Sequence, residues 1–135
     1  MRAFIINAEN RPGALADLAE ALAERGINIT GVAGSAWDDR GAIGLITNDD
    51  ASTRSVLGDR GTDYRELELV AAAMEDKPGT LGMAARRLAD RGVNIGAVIP
   101  TGMQGTKVTV AFAVDDAAAA QEALGDLALA GSAST

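Results

Sequence analysis

The chain has no cysteine and no histidine among its 135 residues. Disulfides, thiolate nucleophiles, the common zinc sites and serine–histidine triads therefore cannot be built from this chain alone. Two phenylalanines, one tyrosine and one tryptophan offer few faces on which nucleic-acid bases could stack. The net charge of −7 also opposes binding to phosphates of a nucleic-acid backbone. We therefore expect no metal site, no cofactor and no nucleic-acid partner.

Long hydrophobic runs are missing as well. No apolar stretch approaches the roughly 20 residues that a membrane-spanning helix needs. The start of the chain, residues 1–7, is too short and too strand-like for a signal peptide. Apolar residues make up 47% of the chain and charged residues 23%, which is typical of a globular protein. We expect a cytoplasmic protein without a membrane partner.

What the chain does contain is an internal repeat. Residues 9–32 align with residues 75–98 at a fixed offset of 66, with 12 identities in 24 positions. The repeat predicts two small units of one fold, residues 1–69 and residues 70–130. Residues 131–135 have nothing to bury and are predicted to form a disordered tail.

The apolar periodicity assigns the same order of elements to both units: strand, helix, strand, strand, helix, strand. This order predicts an α+β fold, a ferredoxin-like βαββαβ sandwich in which an antiparallel sheet carries two helices on one face. Residues 64–73 are predicted to run as a single strand from the first unit into the second. The helices of the repeat carry apolar stripes predicted to face the core, namely Leu15, Leu18, Ala19 and Leu22, and Leu81, Ala84, Ala85 and Leu88.

Several boundaries follow from turn residues. We predict turns at residues 35–41 and 100–105, a helix at residues 51–57 that ends at Gly58, and a short last strand at residues 127–129. The aspartate pairs at residues 49–50 and 115–116 are predicted to cap helices rather than to bind metal. Trp37, in the first of these turns, is predicted to pack over the sheet edge, although it could instead cover a ligand or anchor a dimer contact.

The repeated loop between strand and helix can hold an anion, because it presents the first free N–H groups of a helix. Gly13 and Gly79 leave room there for a ligand or a neighbouring chain. Asn10 and Asp76 can each accept hydrogen bonds from these N–H groups as helix caps, and this purely architectural role is as well supported by these residues as ligand binding.

Two asparagines add to the functional interpretation. Asn28 and Asn94 each lie two residues beyond the glycine that ends the helix, near the start of a strand, where asparagine is disfavoured. Their amides offer both a donor and an acceptor to a ligand in the loop. The alternative is a hydrogen bond that only stabilises the turn after the helix.

The pattern Asn/Asp-x-Pro-Gly-x-Leu, then a helix, then Gly-Ile/Val-Asn-Ile resembles the ACT domain, a small amino-acid-sensing module of metabolic enzymes and regulators. It occurs twice, and the chain is most similar to stand-alone tandem ACT proteins. The resemblance implies a non-catalytic, allosteric homodimer with an amino-acid effector held between the loop of one ACT unit and the second strand of its neighbour. The ligand-binding residues it implies are Asn10, Arg11, Gly13, Ala14, Leu15, Asn28, Ile29, Asp76, Lys77, Gly79, Thr80, Leu81, Asn94 and Ile95.

Two other functions remain open. The chain could be a ligand-free interaction or dimerisation module that docks to a metabolic enzyme, because Asn10 lacks the charge that an aspartate would offer to an ammonium group. An enzyme is the third alternative, but with no histidine or cysteine and two lysines its acid, base or nucleophile is hard to place. We predict no catalytic residue.

Overall fold

A computed structural model describes residues 1–129, and the predicted tail at residues 131–135 lies outside them. The chain divides into two compact units, here called the N-terminal unit, Ala3–Glu66, and the C-terminal unit, from Leu67 onward with Met1–Arg2. The elements are β1 Arg2–Glu9, α1 Ala14–Glu24, β2 Ile29–Trp37, β3 Arg40–Thr47, α2 Asp50–Asp59, β4 Tyr64–Glu75, α3 Thr80–Asp90, β5 Ile95–Gln104, β6 Lys107–Val114 and α4 Ala117–Leu124, followed by a 3-10 turn, Gly125–Leu127.

The N-terminal unit is an antiparallel sheet with two helices packed on it. β3 lies between β1 and β2, with Phe4 opposite Leu45 and Val32 opposite the same residue on the other side. Apolar side chains of the strands and helices form one core. Its buried members are Phe4, Ile6, Leu18, Leu22, Ile27, Ile43, Leu45, Val56 and Leu57.

The C-terminal unit repeats this arrangement. β6 lies between β4 and β5, with Val70 and Val98 on either side of Phe112. Its core consists of Val70, Ala72, Met74, Ala84, Leu88, Val93, Val110, Phe112, Val114, Ala117, Ala120 and Leu124. The predicted ferredoxin-like fold is confirmed. So is the prediction that one strand, β4, begins in the first unit and continues into the second.

Glycine ends the helix in each copy of the repeat, as predicted. Gly26 and Gly92 have φ of +70° and +71°, which glycine adopts without the steric cost of a Cβ. The next residue folds back, so that Ile27 N donates to Leu22 O and Val93 N donates to Leu88 O, both at 3.0 Å. These bonds satisfy carbonyls that the end of a helix would leave without a partner.

Aspartates begin the second helix of each unit, also as predicted. Asp49 accepts a hydrogen bond from Ser52 N, and Asp116 accepts one from Ala119 N, both at 3.0 Å. The bond from Ser52 lowers the pKa of Asp49, because it favours the charged carboxylate. Each cap satisfies one of the free N–H groups at its helix start.

Several predicted boundaries are wrong because strands extend into predicted turns. β2 continues to Trp37 and β5 continues to Gln104. A register shift between Pro100 and Gly102 accommodates the proline in β5, which is an edge strand. None of the helices in residues 1–129 is long and apolar enough to cross a membrane.

Two predicted ends also differ. Gly58 lies within α2, and the helix is followed by Gly61, whose φ is +65°. The predicted last strand at residues 127–129 is instead the end of the 3-10 turn and a single β-bridge between Ala128 and Ala72.

A buried pair of hydroxyl groups joins β3 to α2. Thr53 is fully buried and Thr47 is 3% exposed, and their Oγ1 atoms lie 2.7 Å apart. Replacing Thr53 by valine keeps the shape but removes its hydrogen bonds to Thr47 and to Asp49 O. We predict that Thr53→Val lowers the free energy of unfolding by about 1–3 kcal/mol. Urea titration measures this loss. Ser55→Ala, which removes an exposed hydroxyl from the same helix, should change it by less than about 0.5 kcal/mol.

Candidate functional site

The turn from strand to helix is built in the same way in both units. Gly13 and Gly79 are the N-cap residues, with φ of +88° and +93°, and at neither helix start does a capping side chain accept a hydrogen bond from the backbone. The alternative in which Asn10 and Asp76 cap these helices is therefore wrong. The chain turns into the helix only at the glycine, three residues later, which places both side chains outside capping position.

The helix starts leave backbone donors available. Asp17 N donates to Gly13 O at 2.8 Å and Ala14 N donates to Arg11 O at 3.3 Å. Within the described chain, no group accepts a hydrogen bond from the backbone N–H of Leu15 or of Ala16. Leu81 and Gly82 are in the same situation at the start of α3. Such groups, together with the helix dipole, attract a carboxylate or another anion.

Asn10 ties the first loop to the hairpin between β2 and β3. Its side-chain Nδ2 donates to Asp38 O at 2.7 Å, and its backbone N donates to Asp39 O at 3.0 Å. Asp38 makes the tight turn of this hairpin with a φ of +54°. The amide nitrogen is thus occupied, while the side-chain oxygen of Asn10 remains as an acceptor.

Arg11 is held against the same loop by acidic neighbours. Its guanidinium donates to Asp17 at 3.2 Å, to Glu9 at 3.1 Å and to Pro12 O at 3.2 Å. The hydrogen bonds to Asp17 and then Glu9 raise the pKa of Arg11. Because the pairs are exposed, each adds little to stability, but together they fix the position of the guanidinium beside Gly13.

The second loop has different side chains around the same backbone. Thr80 Oγ1 donates within the loop, with Glu75 O at 2.8 Å and Lys77 O at 3.1 Å. Asp76 is exposed, and its carboxylate has no hydrogen-bond partner in the part of the chain that the structure describes. The two loops thus differ in charge: the first presents an amide that is partly engaged, and the second presents a carboxylate.

A cavity of about 400 Å³ lies against the first loop. It brings together Asn10, Arg11, Ala14 and Leu15, four of the predicted site residues, with the middle of β2. Leu15 was predicted to face the core, but it is 50% exposed, as is Leu81 in the repeat. The apolar stripe begins one turn before the sheet covers the helix, so both leucines are left beside their loops.

The sequence did not predict the cavity residues that β2 and β3 supply. They are Val32, Ala33, Gly34, Ser35, Ala36, Gly41, Ala42 and Ile43. Val32 is 43% exposed, and Val98, at the same position of the repeat, is 39% exposed. An apolar residue repeated at an outward position of an edge strand was the signal available in the sequence.

The structure does not bring Asn28 and Ile29 to the loop of their own unit. They lie at the start of β2, whereas the cavity adjoins its later residues, and the nine residues of β2 span about 30 Å. The backbone of Asn28 exchanges hydrogen bonds with Asn48, at 2.9 and 3.1 Å. Asn94 does the same with Asp115, at 3.0 and 3.3 Å.

Trp37 does not pack over the sheet edge as predicted. It ends β2 and is 84% exposed. Its position beside the turn at Asp38 and Asp39 puts it in the wall of a shallow neighbouring cavity. In residues 1–129, no group of three or more acidic side chains is placed to hold a metal ion.

Comparison with known families supports the resemblance inferred from the motif. The model of the ACT domain matches residues 3–60, almost all of the N-terminal unit. Residues 3–60 are an ACT domain. The C-terminal unit repeats the order of elements, the Pro-Gly motif and the left-handed glycine at the helix start. ACT domains are regulatory modules that bind small molecules.

Solved structures share the fold over most of the chain. A protein of Bacteroides thetaiotaomicron has a TM-score of 0.78 at 22% identity, covering 97% of this chain and 92% of its own. The ligand-free regulatory subunit of aspartate kinase from Thermus thermophilus has a TM-score of 0.67 at 18% identity, covering 93% and 90%. The corresponding subunit from Thermus flavus has a TM-score of 0.65 at 18% identity, with the same coverage. No curated protein matches the chain.

The tie between Asn10 and the hairpin generates a prediction about local stability. Asn10→Asp removes the Nδ2 donor and sets a carboxylate beside the carbonyl of Asp38. We predict that the backbone amide of residue 10 exchanges with solvent about three- to tenfold faster, equivalent to the usual net worth of one hydrogen bond. Hydrogen exchange measured by NMR tests this. The control is Asn94→Asp, which makes the same chemical change at an exposed side chain and should leave the exchange rate of the residue 94 amide unchanged. If the residue 10 amide exchanges at the same rate in Asn10→Asp as in the native chain, the hydrogen bond to Asp38 does not stabilise the loop.

Proposed function

We propose that the chain is a non-catalytic regulatory module that binds a free amino acid at its strand-to-helix loops. The observation that carries the proposal is the pair of unoccupied N–H groups at each helix start, next to a loop that presents an acceptor side chain. A free amino acid carries a carboxylate and an ammonium group on the same carbon atom. A carboxylate suits the helix N–H groups, and an ammonium suits the adjacent acceptor.

The two loops would serve the ammonium group differently. In the first, Asn10 offers its side-chain oxygen, because its nitrogen is engaged with Asp38. In the second, Asp76 offers a full negative charge. Hydrogen bonds to charged groups are worth more than neutral ones, so we propose that the second loop binds more tightly.

The remaining predicted residues complete this proposal. Arg11 and Lys77 flank the loops, Gly13 and Gly79 allow close approach, and the apolar or small side chains face the body of the ligand. The proposed ligand-binding set remains Asn10, Arg11, Gly13, Ala14, Leu15, Asn28, Ile29, Asp76, Lys77, Gly79, Thr80, Leu81, Asn94 and Ile95.

A homodimer would bring the distant asparagine into the site. β2 is an edge strand, with β3 on one side. If the β2 edges of two chains pair antiparallel about a twofold axis, the start of one strand lies beside the end of the other. Asn28 of a second chain would then approach the loop at Asn10. The half-exposed Val32 and Leu15 supply apolar area for such an interface.

The fold shared with regulatory subunits of aspartate kinase supports a regulatory role by analogy only. We propose that the chain acts in the cytoplasm, where it would sense an amino acid on behalf of a metabolic enzyme.

One observation favours a second candidate, a ligand-free interaction module. Asn10 is neutral and is already bound to the hairpin, so the first loop also fits a purely structural role. In that case the exposed residues of β2, including Trp37, would serve docking to an enzyme. A complex with a metabolic enzyme that no amino acid affects would support this candidate over the first.

The charge of Asp76 generates a prediction about binding. Calorimetry of the full chain against the twenty amino acids should find at least one that binds, and at one hundred times its dissociation constant it should stabilise the fold by about 2.7 kcal/mol. Asp76→Asn should weaken the tighter site at least tenfold, because it removes a charge-assisted hydrogen bond. Asp90→Asn changes an exposed charge at the end of α3 and should leave binding unchanged. Absence of heat and of thermal stabilisation with all twenty would contradict amino-acid binding.

The proposed β2 pairing generates a prediction about assembly. Val32→Lys places a charge on the outward surface of the edge strand, where lysine opposes strand pairing. We predict that it shifts the protein from dimer to monomer in sedimentation velocity. Met83→Lys introduces the same charge at a comparably exposed position on α3 and should remain dimeric. A dimeric Val32→Lys variant would show that β2 is not the interface.

A further inference from the structure

The N-terminal unit holds a second cavity, of about 370 Å³, on the other side of the start of α1. It forms where β1 ends, β3 begins and the turn between α2 and β4 passes, at residues 60–63. Arg11 and Ala14 line both this cavity and the one beside β2. Its size lies within the range of small-ligand sites.

Three arginines line this cavity: Arg11, Arg40 and Arg60. Arg11 is paired with Glu9 and Asp17. In the part of the chain that the structure describes, Arg40 and Arg60 have no ion-pair partner. The chain carries 19 acidic and 12 basic residues, so acidic partners are abundant. Glu9 and Asp63 also line the cavity, so three guanidiniums stand against two carboxylates and the lining carries a small excess of positive charge.

The rest of the cavity wall suits a small ligand with a polar body. Buried Ile6, Leu18 and Ile43 form its apolar part. Asn7 Nδ2 donates to Asp63 at 3.1 Å, which fixes that carboxylate at the rim. Low-dielectric walls behind the guanidiniums strengthen their attraction for an anion. The fixed carboxylate can accept a hydrogen bond from a hydroxyl group.

The charge pattern is not a general property of the repeat. Lys107 begins β6 as Arg40 begins β3, so one cation is retained. The turn after α4, however, carries Asp126, which accepts a hydrogen bond from Arg87 at 3.0 Å. The second unit thus closes the corresponding turn with an internal ion pair, whereas the first unit leaves Arg60 available.

We propose that this arginine-lined cavity is a separate binding site for a phosphate group, free or carried by a small organic ester. Arg40 and Arg60 can each donate two parallel hydrogen bonds to a phosphate, and the net positive charge of the lining favours the anion. The cavity is larger than a phosphate ion, so an ester with a hydroxylated body would fill it better. It shares Arg11 and Ala14 with the cavity beside β2, but Leu15 and Ala16, whose N–H groups are proposed to bind the amino acid, do not line it.

Titration of the full chain with inorganic phosphate tests the site, with sodium chloride at matched ionic strength as the reference. Calorimetry should show saturable binding that chloride does not reproduce, and glycerol phosphate, as a simple ester, should bind at least as tightly. Tighter binding of the ester assigns the site to phosphate esters, and equal binding assigns it to phosphate itself.

The variants Arg40→Gln and Arg60→Gln should each weaken phosphate binding at least tenfold, and the double variant should abolish it. Arg86→Gln, which removes an exposed arginine from α3, is the matched control and should bind normally. The melting temperature in chloride and the response to amino acids report whether each variant remains folded. Phosphate binding that persists in the folded double variant, or no saturable binding by the native chain, would overturn the proposal.

Discussion

The candidate site depends on one backbone conformation, the left-handed glycine between strand and helix. With φ near +90°, Gly13 and Gly79 let the chain reverse direction without a side-chain cap. Because no side chain occupies the helix start, the N–H groups that follow remain available to a ligand. A residue with a Cβ would strain this turn, and a conventional cap would consume a donor. The glycine thus determines both the geometry of the site and its preference for anions.

A second constraint is the distance along β2. The loop and Asn28 belong to the same proposed site but lie at opposite ends of a strand about 30 Å long. One unit cannot bring them together, whatever its side chains do. The same strand has a free edge and an outward valine at the repeated position. The proposed antiparallel pairing of the β2 edges of two chains would account for both features, because it places the start of one strand beside the end of the other.

The fold was predictable because its signals are local. Periodicity located the helices, glycine located the ends of α1 and α3, and aspartate located the starts of α2 and α4. The side-chain arrangement of the site was less predictable from the sequence. Asn10 resembles a cap in sequence, but its partner Asp38 lies 28 residues away, across a hairpin whose length the turn residues did not reveal. Leu15 fits the apolar stripe, yet its exposure depends on where the sheet stops covering the helix.

We propose above all that the helix N–H groups at the two glycine turns bind the carboxylate of an amino acid. An NMR titration of the ¹⁵N-labelled chain tests it most directly, with the amino acid that calorimetry finds to bind most tightly. The account predicts that the amide signals of Leu15 and Ala16, or of Leu81 and Gly82, shift most and saturate with the calorimetric dissociation constant. Saturation of binding while all four signals keep their positions would contradict it.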